Sequence, residues 1–163
     1  MADAPRYLGY ELSIDPQDTA SRDFFRFCRE HQLHLQCCGS CSRLRYPPSP
    51  GCPFCGSDGY TWIPVDGSGV IHSYTEVHHA VSAPMKPFVP YVVAIVELAN
   101  QRDDPAAGAA IRIPGNLVTA DGNLNIGDLR WGIDSPVRIV FSDVSDEIAI
   151  PLWTPLEASR FIS

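Results

Sequence analysis

The chain has 163 residues and a formal net charge of −7, with 45% hydrophobic and 19% charged residues, an ordinary balance for a globular protein. It is long enough for one ordinary domain, or for a compact domain of about 100 residues with a small satellite. The 15 prolines and 12 glycines argue against a helical bundle and predict strands joined by many turns.

No run of about 18 apolar residues that could span a bilayer occurs in the sequence. The first ten residues also lack the basic and then apolar layout of a secretion signal. Both observations predict a soluble cytoplasmic protein.

The first predicted element is a short amphipathic helix that begins near residues 18–19. Phe24, Phe27 and Cys28 recur at helical spacing and share one face. Phe25 lies about 100° around the helix from Phe24, so one core face cannot bury all three phenylalanines. Phe25 is therefore either a partly exposed residue or a sign that the helix contacts a partner on a second side.

Two CxxC pairs follow the helix, in a stretch rich in proline and glycine. Their spacing is Cys38-x2-Cys41-x10-Cys52-x2-Cys55. Cytosolic thiols stay reduced, so two such close pairs indicate a metal site rather than disulfides. Four soft sulfur ligands favour tetrahedral zinc, with iron as the rubredoxin-like alternative. Because four cysteines leave no open position for water, the predicted site is structural.

Two further cysteines have separate interpretations. Cys37 could replace Cys38 as a ligand, but the resulting CxxxC knuckle would match the second knuckle less well. Cys28 lies on the apolar face of the helix, so it is predicted to be a buried residue rather than a nucleophile.

Downstream of residue 60 the sequence changes to strands. Five segments rich in β-branched or aromatic residues are bounded by turn-forming residues. They are residues 70–81, 91–98, 109–114, 136–141 and 147–152. Five strands separated by turns predict a small closed barrel. The connection 115–134 has room for a short helix or a binding loop.

The sequence offers no catalytic apparatus. It contains no GxSxG elbow, HExxH helix motif, phosphate-binding glycine loop or dinucleotide fingerprint. His78 and His79 are adjacent on the longest strand, so they point to opposite faces and cannot easily act on one ligand.

Taken in order, these segments resemble the DUF35 family, in which an N-terminal helix and a rubredoxin-like zinc ribbon precede an OB-fold. The likeness covers roughly residues 20–155. It is carried by residues 38–41, 43–48, 52–57, 69–74 and 90–98. The resemblance implies a mainly β fold in three parts. They are an N-terminal helical segment (1–35), a zinc ribbon (36–58) and a five-stranded OB-fold domain (59–163). The connection 100–108 departs from the family, because it is longer and richer in aspartate than the usual turn.

This resemblance implies a non-catalytic, zinc-binding companion of a thiolase-superfamily enzyme. The partner would be a thiolase, a retro-aldolase or an acyltransferase that acts on acyl-CoA thioesters. It would supply the nucleophile, while this chain would stabilise it and help to shape the acyl-CoA entrance.

Two alternatives stay open, a free-standing acyl-CoA-binding protein and a nucleic-acid-binding OB protein. Residues 61–163 hold six Lys and Arg against twelve Asp and Glu, which repels phosphate backbones and makes the second alternative the weaker one. The phosphates of CoA would need a cationic patch, for which only scattered arginines such as Arg43, Arg45 and Arg112 are available.

Five residues of the helix and ribbon are predicted to contact the partner. Large aromatic side chains at a surface and arginines are typical anchors of protein interfaces. These residues are Phe24, Phe25, Arg43, Arg45 and Tyr46.

Overall fold

The computed structural model describes residues 5–99, 110–127 and 130–156. The described elements are β1 (Arg6–Tyr7), β2 (Tyr10–Glu11), α1 (Thr19–Arg29), β3 (Leu33–Cys38), β4 (Leu44–Arg45), β5 (Tyr60–Val65), β6 (Ser68–Val77), a 3₁₀ helix (Ala83–Phe88), β7 (Tyr91–Leu98), β8 (Arg112–Leu117), β9 (Pro136–Asp143) and β10 (Ala149–Pro155). The predicted mainly β fold class is confirmed. No helix in these ranges has the length and apolar character needed to cross a membrane.

Helix α1 begins where the sequence predicts. The Oδ1 atom of Asp18 accepts the N–H of Ser21 at 2.9 Å and caps the first turn. Phe24 and Cys28 face the core and are 3% and 0% exposed. Phe25 packs edge-on against Phe24, with ring centroids 5.3 Å apart, and stays half-buried at the rim of the core.

Strands β4, β3 and β5 form a three-stranded antiparallel sheet around the cysteine segment. Strand β3 pairs with β5 along its length, from Leu33 opposite Val65 to Cys38 opposite Tyr60. The sheet therefore reaches outside residues 36–58. The three-part division of the chain stays a prediction.

Strands β6 to β10 close a barrel in the order β10-β8-β7-β6-β9. Neighbouring strands are antiparallel except β10 and β8, which run parallel. All five predicted segments contribute a strand, and the predicted closed barrel is confirmed. Strand β6 ends at Val77 instead of residue 81, because the proline-rich stretch beyond it forms the 3₁₀ helix. The connection 100–108 lies outside the described residues.

The barrel and the ribbon share one hydrophobic core. Inside the barrel the fully buried side chains include Trp153, Ile71 and Ile113. Leu33 and Leu35 of β3 belong to the same cluster, together with the inner face of α1. The helix thus joins the ribbon sheet to strand β10.

The N-terminal hairpin β1–β2 lies over the outer surface of the barrel. The hydroxyl of Tyr7 donates to Oδ1 of Asn116 on β8 at 2.8 Å. The hydroxyl of Tyr10 donates to Oγ of Ser82 at 2.6 Å. Burial raises the pKa of Tyr7 well above its ordinary value, so this hydroxyl stays a donor.

A polar contact also links the end of α1 to the end of β9. Asp143 accepts from Nη1 of Arg29 at 3.1 Å and lies 2.8 Å from Nε2 of His31. The His31 ring stacks on Phe141, with centroids 5.5 Å apart. Sequence periodicity does not indicate this contact, because the partners of Asp143 lie more than 110 residues away.

Replacing Asp143 by asparagine is expected to lower the Tm by a few degrees at most at pH 7, since the contact is exposed. The hydrogen bond from His31 and the charge of Arg29 lower the pKa of Asp143. A lowered carboxyl pKa contributes stability above the unfolded-state pKa of about 3.9, and this contribution is lost as the pH falls through the folded-state value. The Tm difference from the parent should therefore shrink below about pH 4.

Thermal melts of the parent and the variant from pH 3 to pH 7 measure this difference. Asp146→Asn, at an exposed position three residues further on, is the control and should change the Tm little. A Tm difference that persists unchanged at pH 3 would contradict the assignment.

Candidate metal centre

The four predicted cysteine ligands lie on two similar knuckles. Cys38 ends β3, and its carbonyl accepts the N–H of Ser42 at 2.9 Å. The carbonyl of Cys52, in the loop between β4 and β5, accepts the N–H of Gly56 at the same distance. Both closing residues have positive φ, 59° at Ser42 and 76° at Gly56, a left-handed conformation that favours glycine. Each knuckle therefore turns its two thiols toward one point.

The structure brings these four sulfur atoms together. All lie within 4.8 Å of one another, with 3.6 Å between Cys38 and Cys55 and between Cys41 and Cys52. Zn–S bonds of about 2.3 Å in a tetrahedron place sulfur atoms about 3.8 Å apart, so the observed spacing fits. No other cluster of three or more potential ligands of this kind occurs within the described ranges.

Backbone N–H groups favour the ionised form of two of the thiols. Hydrogen bonds from the N–H groups of Cys41 and Ser40 lower the pKa of Cys38 to about 6. Burial raises the pKa of Cys52, but hydrogen bonds from N–H groups of the second knuckle and from two neighbouring thiols together outweigh it, so the net shift is downward. Thiolates are the form in which cysteine binds metal.

The pKa of the Cys55 thiol is shifted in the opposite direction. The N–H of Ser57 lowers the pKa of Cys55, yet the three neighbouring thiols raise it, and the result is about 12. Without a cation, one thiol keeps its proton because further negative charge is disfavoured. A divalent metal supplies the missing positive charge and releases that proton.

The two remaining cysteines lie outside the cluster. Cys37 is half-buried, and its thiol points toward the carbonyl oxygen of Ser42 at 3.5 Å. Cys28 is fully buried in the helix, and burial raises its pKa to about 12. A thiol this deeply protonated is a poor nucleophile.

Two histidines of the longest strand and its end pair with carboxylates on the surface. His72 lies 3.9 Å from Glu97, and Nε2 of His78 lies 3.1 Å from Glu76. Both histidines are exposed, and neither belongs to the cysteine cluster.

Two of the five residues predicted to contact a partner are buried inside the chain. Phe24 is 3% exposed and Arg45 is 4% exposed. A partner could reach little of these two side chains, and the predicted interface stays a prediction. Phe25, Arg43 and Tyr46 are half-buried and stay candidates.

A four-cysteine ribbon joined to a closed five-stranded barrel defines a zinc-ribbon OB-fold protein. A family model for the ChsH2 rubredoxin-like zinc ribbon domain matches residues 25–61, and one for the ChsH2 C-terminal OB-fold domain matches residues 62–142. The two matches are contiguous and together span well over half of the chain. The chain belongs to this family of zinc-ribbon OB-fold proteins, and the resemblance to DUF35 proteins is confirmed.

One similar protein is a probable enoyl-CoA hydratase alpha subunit from Thermomonospora curvata. It is 30% identical over 146 residues, which cover 88% of this chain but only 40% of that relative. The chain therefore spans less than half the length of this relative.

Two solved structures are also similar. A chain of the Ltp2-ChsH2(DUF35) aldolase has a TM-score of 0.66 and 28% identity, over 87% of this chain and 98% of that one. A DUF35 protein of unknown function from Sulfolobus solfataricus has a TM-score of 0.52 and 14% identity, over 85% and 87% of the two chains. The second likeness concerns the fold alone.

Proposed function

We propose that this chain is a non-catalytic subunit that binds one structural zinc ion and assembles with a thiolase-like enzyme acting on acyl-CoA thioesters. The observation that carries the proposal is the match to a chain of the Ltp2-ChsH2(DUF35) aldolase over 98% of that chain's length. A chain of similar length and fold is thus part of the Ltp2-ChsH2(DUF35) aldolase.

The zinc ligands in this proposal are Cys38, Cys41, Cys52 and Cys55. The close spacing of their sulfur atoms, all within 4.8 Å of one another, supports the assignment. Four thiolates around one ion leave no position for water, so the metal would hold the ribbon together rather than activate a substrate.

The chemistry of the described cysteines supports a non-catalytic role. The four clustered thiols would be occupied by the metal, and the Cys28 thiol is buried with a raised pKa. Cys37 is only half-buried, but its thiol contacts a backbone carbonyl, and no described contact joins it to a side chain that could act as its base. The nucleophile and the base for acyl-CoA chemistry would come from the partner.

The distribution of charge supports the helix and ribbon as the side that meets the partner. Residues 19–60 hold five arginines against three acidic residues, an excess that the formal charge of −2 on a zinc–thiolate centre would balance, whereas residues 61–163 are strongly acidic. Arg43 lies over the exposed ring of Phe54, 4.7 Å from its centroid. Arginine and aromatic side chains of this kind are enriched in interface cores. An acidic surface on the partner would be repelled less by this side than by the barrel half.

Binding of nucleic acid by the barrel has less support. OB-folds commonly bind oligonucleotides on the outer face of their second and third strands, here β7 and β8. The N-terminal hairpin lies over part of that surface through the hydrogen bond from Tyr7 to Asn116. The acidic excess of the barrel half would also repel phosphates.

Native purification of the tagged chain from its own cells, followed by identification of stoichiometric partners, tests the proposal. A thiolase-like protein that co-elutes through size exclusion would support it. A hydratase-like partner instead would place the chain with its Thermomonospora relative, and a monomer without partners would contradict the subunit role.

Truncating Phe25 to alanine is expected to weaken binding of that partner by about 1–3 kcal/mol, the range for an aromatic hot spot. The reason is that Phe25 lies at the rim of the core with part of its ring exposed. Isothermal titration measures the affinity. Zinc content should stay unchanged, and circular dichroism should confirm that the variant is folded at the titration temperature.

The matched control is Ile133→Ala, which removes an apolar side chain that is 56% exposed on the barrel half. It should leave the affinity as it is in the parent. If Ile133→Ala weakens binding and Phe25→Ala does not, then the interface lies on the barrel.

A further inference from the structure

The ribbon contains a buried arginine that contacts no carboxylate among the described residues. Arg45 on β4 is 4% exposed and lies opposite Gln36 on β3, which is 0% exposed. Its Nε donates to Oε1 of Gln36 at 2.9 Å, and its Nη2 donates to the carbonyl of Ser49 at 3.0 Å. Both acceptors are neutral, so these contacts orient the guanidinium without balancing its charge.

Burying an unbalanced charge costs free energy, because the group loses its hydration. Between residues 33 and 65 the only carboxylate is Asp58, and it is exposed. The four thiolates of the metal centre are the other negative charges of this segment. With Zn²⁺ they carry a formal charge of −2, which leaves a net negative charge for a nearby cation to balance.

Two contacts of Arg45 lead to residues that neighbour Cys38. Its guanidinium carbon lies 5.0 Å from the ring centroid of Tyr60, and Tyr60 is the strand partner of Cys38. Gln36, its hydrogen-bond partner, is two residues before Cys38 and therefore points to the same face of β3. The guanidinium thus lies on the side of the sheet to which Cys38 belongs.

The same group also holds the loop that carries the second knuckle. The N–H of Ser49 donates to Oε1 of Gln36, and the Ser49 hydroxyl donates to the carbonyl of Gly51, each at 2.9 Å. Gly51 directly precedes Cys52. Hydrogen bonds therefore run from Arg45 and Gln36 to the residue next to this ligand.

We infer that Arg45 is the internal counter-charge of the four-cysteine metal centre and, together with Gln36, positions its second knuckle. The positive charge stabilises the net negative metal–thiolate group, and that group in turn offsets the cost of burying the guanidinium. Nη1 of Arg45 and Nε2 of Gln36 have no hydrogen-bond partner among the described residues. These two groups can therefore donate further hydrogen bonds besides those that hold the loop. The inference rests on the metal assignment of the proposed function and is independent of any partner subunit.

Zinc affinity of the full chain, measured by competition with a chelator of known affinity, tests this inference. Arg45→Met removes the charge and should weaken zinc binding about tenfold or more. Arg45→Lys keeps a charge and should lose much less. Gln36→Glu is nearly isosteric, can accept the same hydrogen bonds and cancels the local positive charge, so it should also weaken binding about tenfold.

Two further measurements separate the effect of charge from a general loss of structure. Arg26→Met removes an arginine whose side chain is 61% exposed, and zinc affinity should not change. In cobalt-loaded samples, the thiolate-to-metal charge-transfer band should keep its position in every variant, which reports that the same four sulfur atoms bind. If Arg45→Met does not fold, the comparison of Gln36→Glu with Arg45→Lys decides.

Unchanged zinc affinity in both Arg45→Met and Gln36→Glu would overturn the inference. A loss in Arg45→Lys as large as that in Arg45→Met would overturn the counter-charge role, because the hydrogen bonds that position the second knuckle would then be responsible. A parent chain that binds no zinc would overturn the metal assignment as well, whereas a zinc-binding parent with unaffected variants would overturn only the inference about Arg45 and Gln36.

Discussion

Cys52→Ser is expected to abolish stable zinc binding and to unfold the ribbon. Zinc content should fall from about one equivalent per chain to less than half, because a tetrahedral structural site holds its ion through all four ligands. Binding of structural zinc contributes about 10–16 kcal/mol in zinc-finger peptides, so losing the ion removes most of what stabilises a module this small.

The ribbon depends on the metal because its own sheet is short. Strand β4 has two residues, and the second knuckle lies in a loop without regular structure. Because Leu33 and Leu35 of β3 belong to the common core, the loss of the ribbon should also lower the Tm of the barrel. Metal analysis and thermal melting measure the two effects separately.

Cys37→Ser is the matched control, since it makes the same chemical change at a position next to the site. A serine hydroxyl can donate to the carbonyl of Ser42 as the Cys37 thiol does, so zinc content and Tm should stay near those of the parent. Full zinc occupancy in Cys52→Ser, or loss of zinc in Cys37→Ser with retention in Cys38→Ser, would contradict the ligand assignment.

The cysteine cluster and the barrel strands could be predicted because both are encoded locally. Two thiols three residues apart converge through one tight turn, and each barrel strand carries its own apolar, β-branched pattern. The helix start at Asp18 was visible for the same reason, because its side chain caps a turn only three residues away.

The burial of Gln36 and Arg45 could not be predicted in this way. Both residue types are mostly found at surfaces, and Arg45 was accordingly expected at an interface. Its burial depends on Gln36 across the sheet and on the loop at Ser49, and sequence periodicity contains neither contact. The contact of His31 with Asp143 could not be predicted from the sequence for a related reason, since it joins segments 112 residues apart.

The interface prediction illustrates a second limit of periodicity. The helical pattern indicated that the face with Phe24 and Cys28 is apolar, but not how far the core extends around the helix. In the structure Tyr46 packs near Phe24, with ring centroids 5.7 Å apart, so the core takes in Phe24 completely and leaves Phe25 at its edge. Only the assembled ribbon decides which phenylalanine can be reached from outside.

Gly69→Ala should be among the most destabilising single changes in the barrel, at about 1–3 kcal/mol, which is the usual cost of overpacking. Gly69 lies on β6 where that strand pairs with two neighbours at once, opposite Leu98 of β7 and Val137 of β9. The β6–β9 pairing is one of the contacts that close the barrel. A glycine allows the three strands to approach because it has no side chain.

An added Cβ atom at position 69 would lie 2.5 Å from the carbonyl oxygen of Glu97 and 2.7 Å from Cγ1 of Val96. The first of these is a backbone atom that takes part in the sheet, so it cannot move aside without disturbing the β6–β7 pairing. Strain at Gly69 would therefore affect β6 and both of its neighbours, β7 and β9. Thermal melting should show a Tm lower by several degrees.

Gly132→Ala provides the comparison, because a Cβ atom there would meet no other heavy atom within 4 Å. Its Tm should differ little from that of the parent, and zinc content should be unchanged in both variants, since Gly69 lies in the barrel and not in the ribbon sheet. Equal melting temperatures for Gly69→Ala and Gly132→Ala would mean that the barrel relaxes around the new methyl group. In that case the close approach of the strands at Gly69 would not be what stabilises closure of the barrel.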